Sequence, residues 1–412
     1  MSVTAAPAAS CALHDAGTCR SCPHLALPIP DQLAAKQSHV AALLAEHVPA
    51  ELWQAPAASA PTGFRNKAKM AVAGTAAHPT LGILDGAGCG VDLRACPLHV
   101  PAIEAALPVL ADLITELGLR PYDVPTRRGE LKYVLVTASP DDDLMVRFVL
   151  RSRRYLERLR AAVPDLHRRL PQLAVAAVNI QSVHQAVIEG PEEIVLTEED
   201  RLLMRLSLPS PDGGGQAGRR AESVELPLYL PTRSFFQTNT AVAEALYATA
   251  RDWAEEAEPA RVWDLFCGVG GFALALEAPG RQVLGVEVSA SAIDGARAAA
   301  DLMGLDPALV RFEAGDARVL DPAGPDGSAP GEVEAERPDL LVVNPPRRGI
   351  GEQLATRIEA SGVERVLYSS CNPRTLAADL AHLPSMRVVR SRLFDMFPHT
   401  EHAEVLVELV RD

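Results

Sequence analysis

The sequence contains no apolar stretch long enough to cross a lipid bilayer. Hydrophobic residues make up 48% of the 412-residue chain, but they are dispersed, whereas a membrane-spanning helix needs about 20 consecutive apolar residues. Residues 1–10 are small and apolar but lack the basic start of a secretory leader. We therefore expect a frayed N-terminal tail, no membrane partner and a cytoplasmic location.

The chain also lacks an excess of positive charge, with a net charge of −14. Nucleic-acid-binding domains are usually basic, so this balance argues weakly against such a partner. Phosphates respond to local potential, however, and basic residues cluster at 65–69, 127–132 and 151–160. Each cluster is either a phosphate contact or an ordinary solvated face, and the sequence leaves both alternatives open.

Cysteine is too sparse for a disulfide framework, with seven residues in a long chain that is expected to be cytosolic. Four of them form a pattern: Cys11, Cys19 and Cys22 are followed far downstream by Cys96, next to a proline. Four thiolates suit an iron–sulfur cluster or zinc, and the spacing alone does not choose between them. Cys89 lies in a glycine-rich turn and is treated as a spare.

Three segments can be distinguished along the chain. Residues 1–100 hold most of the cysteines and a helix near Pro30 to Val48, where apolar residues recur at helical spacing. Residues 101–233 mix a helix at Ala102 to Leu117 with alternating strands, which predicts an α+β domain. A glycine-rich break at Pro209 to Ala221 reads as a long hairpin loop.

Residues 234–412 alternate strands with helices, which predicts a doubly wound α/β domain with a mainly parallel sheet. The predicted strands lie at 261–265, 282–286, 310–313, 340–343, 365–368, 386–393 and 404–410. A segment of disordered composition, Asp321 to Pro338, interrupts this alternation. Ligands in such domains bind where the carboxyl ends of the strands meet.

A glycine-rich loop, Asp264 to Phe272, follows the first of these strands and opens a helix. Glycines at such a turn let the backbone approach a nucleotide closely, and Glu287, 23 residues after Asp264, is placed to bind ribose hydroxyls. The loop lacks full dinucleotide spacing and carries an acid. This favours a cationic S-adenosylmethionine over NAD, while Cys267 within the loop is more consistent with packing.

Two further strand ends carry chemistry. The segment Asn344-Pro345-Pro346 ends one strand, as it does in many base methylases, with its polar side chain facing the methyl donor. Cys371 follows the next strand in a polar setting, where a thiolate could add to a pyrimidine ring. Such an adduct needs a base to remove a ring proton. Glu404 is the candidate, with two nearby histidines, 399 and 402, as alternatives.

In combination these motifs resemble the bacterial RNA uracil-C5 methyltransferases that use S-adenosylmethionine, and most nearly the 23S rRNA branch with an N-terminal iron–sulfur cluster. The resemblance rests on residues 11–22, 63–70, 234–239, 264–272, 344–349, 370–373 and 397–400. Some relatives begin with a small β-barrel that binds RNA. Since the cysteines start at residue 11, we expect RNA contacts from the cluster-bearing region instead.

The resemblance implies a Rossmann-like class I methyltransferase domain preceded by an α+β, cluster-bearing RNA-binding region. It implies that the methyl donor is bound by Gln237, Phe266, Glu287 and Asn344. It also implies that Cys371 is the nucleophile and Glu404 the proton acceptor. The implied ligands of a [4Fe-4S] cluster are Cys11, Cys19, Cys22 and Cys96. The implied partner is 23S rRNA, with no obligate protein partner. The alternatives are a tRNA uracil-C5 methyltransferase and a redox-sensing RNA-binding protein on a methylase fold.

Overall fold

The computed structural model describes residues 9–185, 187–209, 223–318 and 337–412. In these residues the chain forms two seven-stranded sheets and a separate two-stranded hairpin. Most of the predicted break after Pro209 and of the predicted insertion before Pro338 lies outside the described residues. No helix in the described ranges is both long and apolar enough to cross a membrane.

The first sheet is antiparallel except for one parallel pair, β5 with β6, and has the order β3-β2-β1-β4-β5-β6-β7. Its strands are β1 (Lys67–Gly74), β2 (Pro79–Leu84), β3 (Gly90–Asp92), β4 (Leu131–Ala138), β5 (Leu144–Leu150), β6 (Leu173–Ile180) and β7 (Glu192–Val195). Two helices, α3 (Pro101–Glu116) and α4 (Leu156–Arg169), contribute to the core on one face. The helix predicted at residues 102–117 is therefore confirmed.

Alternation along β1 explains which face of this sheet is buried. Ala68, Met70 and Val72 join the core beneath the helices, whereas Lys67 and Lys69 point to the opposite face because successive side chains alternate. The sheet also spans the predicted boundary at residue 100, since β1 pairs with β4 from beyond it. The division into segments 1–100, 101–233 and 234–412 stays a prediction.

The two-stranded hairpin joins the core of the C-terminal half. Strands β8 (Arg201–Pro209) and β9 (Ser223–Pro231) pair in antiparallel register, as expected for strands joined by a long hairpin loop. Their inward leucines pack with α5 (Thr240–Ala257) and α7 (Ala290–Leu302) in one apolar core. Helix α5 begins at an N-cap, Asn239, whose side chain accepts a hydrogen bond from the helix backbone.

The second sheet has the order β12-β11-β10-β13-β14-β16-β15. Its strands are β10 (Arg261–Leu265), β11 (Gln282–Glu287), β12 (Val310–Ala314), β13 (Leu340–Val343), β14 (Arg365–Ser370), β15 (Met386–Phe394) and β16 (Glu404–Arg411). The first five run parallel, and β16 is antiparallel to its neighbours. This is the predicted doubly wound arrangement, with α6 (Gly271–Ala275), α8 (Gly351–Ser361) and α9 (Pro373–Leu380) between strands.

The N-terminal segment attaches to this second sheet. It contains α1 (Ala12–Asp15) and α2 (Ile29–Leu43). Val40 of α2 and Leu44 just after it are buried in the same core as the central strands of the C-terminal half. Further along, Trp53 bridges to Ser391 on β15. Residues 9–57 therefore do not form a separate body in the described structure.

Candidate active site and cysteine-lined cavity

The strand register brings the predicted site residues to one edge of the C-terminal sheet. Leu265 at the end of β10 is level with Val286 on β11 and with Val343 on β13. One residue beyond these positions come Phe266, Glu287 and Asn344. Strand order reverses between β10 and β13, the place where ligands bind in doubly wound sheets. The structure thus groups the three residues on one side of a single crevice.

The glycine-rich loop between β10 and α6 has a backbone conformation that lets neighbouring groups come close to it. Phe266 has φ 69° and Gly270 has φ 87°, a left-handed conformation that L side chains seldom adopt. A Cβ at Gly271 would lie 2.5 Å from the hydroxyl oxygen of Tyr247 on α5. Glycine is therefore required at position 271 for Tyr247 of α5 to pack against the loop.

Two carboxyl groups, those of Asp264 and Glu287, belong to this sheet edge. Asp264 is fully buried, and burial raises its pKa to about 8, assisted by Glu287 and opposed by a hydrogen bond from the Ala273 amide. That amide donates to Oδ2 of Asp264, while Oδ1 has no partner in the described residues. Glu287 is half-buried and accepts a hydrogen bond from the Ser289 amide at 3.0 Å. A cationic ligand beside Asp264 would favour its ionised form and lower this pKa.

Cys371 and Glu404 come together through the antiparallel pairing of β14 and β16. Ser370 is level with Val405, so the next position of the register sets Cys371 opposite Glu404. Side chains two apart on a strand share a face. Consistent with this, the hydroxyl of Ser369 donates a hydrogen bond to Oε1 of Glu404 at 2.6 Å. A thiol, a carboxyl and a hydroxyl therefore share one face of the sheet edge.

Glu404 is suited to exchange a proton near neutral pH. Its side chain is buried, and burial raises its pKa to about 7, while the hydrogen bond from Ser369 lowers it. A carboxyl with this pKa is a stronger base than a solvated glutamate and is still ionised in a large fraction of molecules at pH 7. The sequence offered no signal for Ser369 as its partner.

Cys371 sits half-buried between β14 and α9. Burial raises its pKa, the charge of Glu404 adds to the rise, and Arg347 lowers it by its positive charge and a hydrogen bond. Arg347 is held in place through its carbonyl oxygen, which accepts a hydrogen bond from the Asn372 side chain at 2.9 Å. The sequence alone assigned no role to Arg347, although this residue directly follows the Asn-Pro-Pro segment.

The two histidines considered as alternative bases are differently placed. Both ring nitrogens of His399 already have partners, Gln32 at 3.1 Å and the Pro61 carbonyl at 2.7 Å. This ring is fully buried and has no nitrogen left to take a substrate proton. His402 is exposed and its Nδ1 lies 3.2 Å from the Arg347 guanidinium. Of the three, Glu404 is the group that the register sets beside Cys371.

Gln237 lies in the segment just before α5. It is buried, and its backbone carbonyl accepts a hydrogen bond from the Asn66 side chain at 3.1 Å. Asn66 precedes β1, and its own backbone amide donates to the Thr238 carbonyl at 3.0 Å. The neighbouring Phe235 is 70% exposed, which is unusual for an aromatic residue. This segment therefore joins the first sheet to the start of α5.

Four cysteines line a second cavity, of about 180 Å³, between the N-terminal segment and the first sheet. They are Cys11, Cys19, Cys22 and Cys96, while Cys89 is exposed elsewhere. The pKa of Cys22 is raised to about 11, mainly by burial and in addition by the charges of the other three thiols. Arg65 also lines the cavity and opposes this rise.

Four thiols are the donor set that both iron–sulfur clusters and zinc use. Iron or zinc ions bind thiolates, so a bound metal group would favour their deprotonation and offset the repulsion among them. In the described residues, no group of three or more His, Cys, Asp or Glu side chains is spaced as ligands of a bound ion. The cavity therefore matches a metal group by its donor chemistry and not by the spacing of its side chains.

Arginines of the predicted basic cluster at 151–160 contact other side chains of the protein. Three of the five arginines at 151–160 form ion pairs with glutamates: Arg151–Glu130, Arg153–Glu192 and Arg160–Glu157. Arg154 and Arg158 lie over the ring of Tyr155 at 5.8 and 5.4 Å. Within the cluster at 127–132, Arg127 and Arg128 are exposed. These contacts favour an ordinary solvated face over a phosphate contact for much of the 151–160 cluster.

The fold and the crevice define a class I, S-adenosylmethionine-dependent methyltransferase. A family model for tRNA (Uracil-5-)-methyltransferase matches residues 225–319 and 331–412. A crystal structure of the Pyrococcus abyssi tRNA (uracil-54, C5)-methyltransferase with S-adenosyl-L-homocysteine superimposes with a TM-score of 0.73 and 23% identity, over 94% of this chain and 85% of that one. At that identity the likeness shows the fold alone.

Closer relatives identify the family. The chain is 48% identical over 405 residues to a 23S rRNA (uracil(747)-C(5))-methyltransferase RlmC from Halothiobacillus neapolitanus, covering 97% of this chain and 99% of that protein. Relatives with the same name from Yersinia pseudotuberculosis and Escherichia coli are 46% and 45% identical, each over 97% of this chain, and cover 98% and 99% of those proteins. The chain belongs to the RNA uracil-C5 methyltransferase family.

Proposed function

We propose that this protein methylates carbon 5 of a uracil in 23S rRNA, the uracil numbered 747 in the names of its relatives. The observation that carries the proposal is the pairing of Cys371 with Glu404 at the edge of a methyltransferase sheet, together with 45 to 48% identity to those relatives. Work on ribosomal RNA implies a cytoplasmic location. A dead methylase fold that only senses redox state would not need this pair.

In this proposal Cys371 acts first. Its thiolate adds to carbon 6 of the uracil, and the electron pair of the 5,6 double bond becomes an enolate. Arg347 stabilises the thiolate before the attack, since it lowers a pKa that burial has raised. Carbon 5, now nucleophilic, takes the methyl group from S-adenosylmethionine and leaves the neutral sulfide as the second product.

Glu404 completes the reaction. Carbon 5 carries both a hydrogen and the new methyl group, and Glu404 takes the hydrogen as a proton. The electron pair released forms the 5,6 double bond again and expels Cys371 as a thiolate. A pKa of about 7 suits this step, because the base must be ionised and still strong. Ser369 keeps the carboxylate oriented.

The donor would occupy the crevice beside Asp264 and Glu287. The partnerless Oδ1 of Asp264 supports a contact with a cationic donor, and Glu287 has the position usual for binding ribose hydroxyls. Gln237, Phe266 and Asn344 complete the proposed donor site. The target uracil reaches this depth only when it leaves the RNA stack, as bases do in other base-modifying enzymes.

We further propose that Cys11, Cys19, Cys22 and Cys96 hold a [4Fe-4S] cluster. Methyl transfer moves no electrons, so the group would order the N-terminal segment for RNA binding. The test is anaerobic purification: brown protein with broad absorbance near about 400 nm and four irons per chain is expected. Cys96→Ser should lose the iron and Cys89→Ser should keep it. Colourless protein with stoichiometric zinc would contradict the cluster.

The substrate is tested by mapping 5-methyluridine in ribosomal RNA from a strain that lacks this protein. We expect one uracil of 23S rRNA to lose its methyl group, with restoration by the unaltered chain but not by a Cys371→Ser chain. Loss of the modification from tRNA with 23S rRNA unchanged would favour the tRNA alternative. Unchanged 5-methyluridine in both RNAs would contradict the proposal.

A further inference from the structure

A buried ion pair ties α2 to the loop that leads into Glu404. This loop, called the catalytic loop here, comprises residues 395–403 between β15 and β16. Lys36 of α2 lies 2.5 Å from Oδ1 of Asp395, and the two side chains are 3% and 0% exposed. Lys36 also donates to the Phe397 carbonyl at 2.9 Å. One lysine therefore holds two points of the loop.

A second contact fixes His399 in the same loop. The His399 amide donates to Oε1 of Gln32 at 2.8 Å. Nε2 of the ring lies 2.7 Å from the Pro61 carbonyl, and a carbonyl only accepts, so Nε2 carries the proton. Nδ1 is then the acceptor for the Gln32 amide nitrogen at 3.1 Å. This network requires a neutral ring in one tautomer.

The backbone of His399 is strained, with φ 65°. A non-glycine residue in this region persists only where its surroundings hold it. Here the surroundings are Gln32, Pro61 and the His24 amide, which donates to the His399 carbonyl at 3.1 Å. His24 stands two residues after Cys22, so the segment that carries a proposed cluster ligand continues directly into these contacts.

The other partners of the reaction are held mainly by different elements, although the Arg347 guanidinium also lies 3.2 Å from Nδ1 of His402 in the catalytic loop. Cys371 sits between β14 and α9, and Arg347 is anchored to Asn372 at the start of α9. Neither has a hydrogen bond or ion pair to Gln32 or Lys36 among the contacts of the described residues. A change in these two side chains should therefore move Glu404 more than it moves the nucleophile.

We propose that Gln32 and Lys36 are positioning residues for proton removal, because they hold the catalytic loop from which Glu404 extends toward Cys371. The inference rests on the proposed function. It predicts a defect confined to one step: thiolate addition and methyl transfer continue, but breakdown of the methylated adduct slows.

The experiment follows the adduct with ordinary uracil-containing RNA and S-adenosylmethionine in single-turnover reactions. Gln32→Leu and Lys36→Met are compared with Gln37→Leu, a matched control at a half-buried position of the same helix. For the first two we expect methyl transfer within about threefold of the unaltered chain. Adduct breakdown should slow by about tenfold or more, so that a covalent complex stable to denaturant accumulates. Gln37→Leu should accumulate none.

Conservative replacement separates positioning from general loss of structure. Lys36→Met leaves a buried carboxylate unpaired and can unfold the chain, whereas Gln32→Leu removes no charge. Lys36→Arg keeps the charge and should restore adduct breakdown. If Gln32→Leu releases its product at the normal rate, or loses adduct formation as well, the inference is overturned.

A Glu404→Gln chain distinguishes failure of this inference from failure of the proposed function. It should accumulate the methylated adduct whatever Gln32 and Lys36 do. Accumulation in Glu404→Gln but in neither α2 variant would overturn the positioning role alone. No accumulation in Glu404→Gln would remove Glu404 as the proton acceptor, and with it the step that the inference addresses.

Discussion

Removal of the Ser369 hydroxyl should shift the pH at which the enzyme releases its product. That hydroxyl donates to Glu404 at 2.6 Å and lowers a carboxyl pKa that burial has raised to about 7. A hydrogen bond to a charged group contributes about 1.5 to 3 kcal/mol, and one pKa unit equals about 1.36 kcal/mol. Ser369→Ala should therefore raise the pKa of Glu404 by about one to two units.

The consequence for the rate follows from the ionised fraction of Glu404. At pH 7 this fraction is about one half in the unaltered chain and falls to between about a tenth and a hundredth in Ser369→Ala. Adduct breakdown should slow about 5- to 50-fold at pH 7 and recover above about pH 9. Single-turnover rates between pH 6 and 10 measure this, with Ser370→Ala as the neighbouring control. An acid limb that stays near pH 7 in Ser369→Ala would refute the assignment.

Three further predictions concern charged groups of the site. Glu404→Gln should stabilise the fold by about 3 kcal/mol at pH 8.5 and by less toward pH 5. The reason is that burial raises the pKa of Glu404 from 4.5 in the unfolded chain to about 7 in the folded one. The unaltered protein therefore loses stability as the pH rises through 7 and the buried carboxyl ionises. Urea unfolding of both chains at the two pH values measures this difference. Arg347→Met should raise the pKa of Cys371 further, so alkylation of that thiol by iodoacetamide slows at pH 8 and recovers at higher pH; equal rates at pH 8 would contradict this role. Binding of S-adenosylmethionine should release a proton from Asp264, whose pKa burial raises to about 8. The affinity of the protein for S-adenosylmethionine should therefore rise with pH up to about that value. Calorimetry in two buffers of different ionisation enthalpy measures the released proton, and Asp264→Asn should release none.

The C-terminal fold could be predicted from sequence because parallel strands carry a strong local signal. Strands buried on both faces read as short apolar runs between helices, and β13, Leu340–Val343, has the predicted bounds. The first sheet was harder. Its strand β3, Gly90–Asp92, is three residues long and half-buried. Neither alternation nor an apolar run therefore identifies it in the sequence, and only its pairing with β2 in the fold does so.

The candidate site likewise contains residues that could be predicted from the sequence and residues that could not. Cys371 and Asn344 follow buried strands and Glu287 ends one, so their position in sequence already predicts that they meet at one sheet edge. The partners that tune them come from elsewhere: Ser369 is distinguished from its neighbour serine only by the strand face. Lys36 lies 359 positions from Asp395, and no local pattern relates residues so far apart in sequence.

The most direct test of the account is the bond between sulfur and pyrimidine. RNA that carries 5-fluorouridine at the target position cannot lose the C5 substituent as a proton, so the methylated adduct should stay bound. Mass spectrometry of the digested complex should find RNA attached to Cys371, and Cys371→Ser should give neither complex nor turnover. Turnover by Cys371→Ser, with no complex from the unaltered chain, would contradict the mechanism.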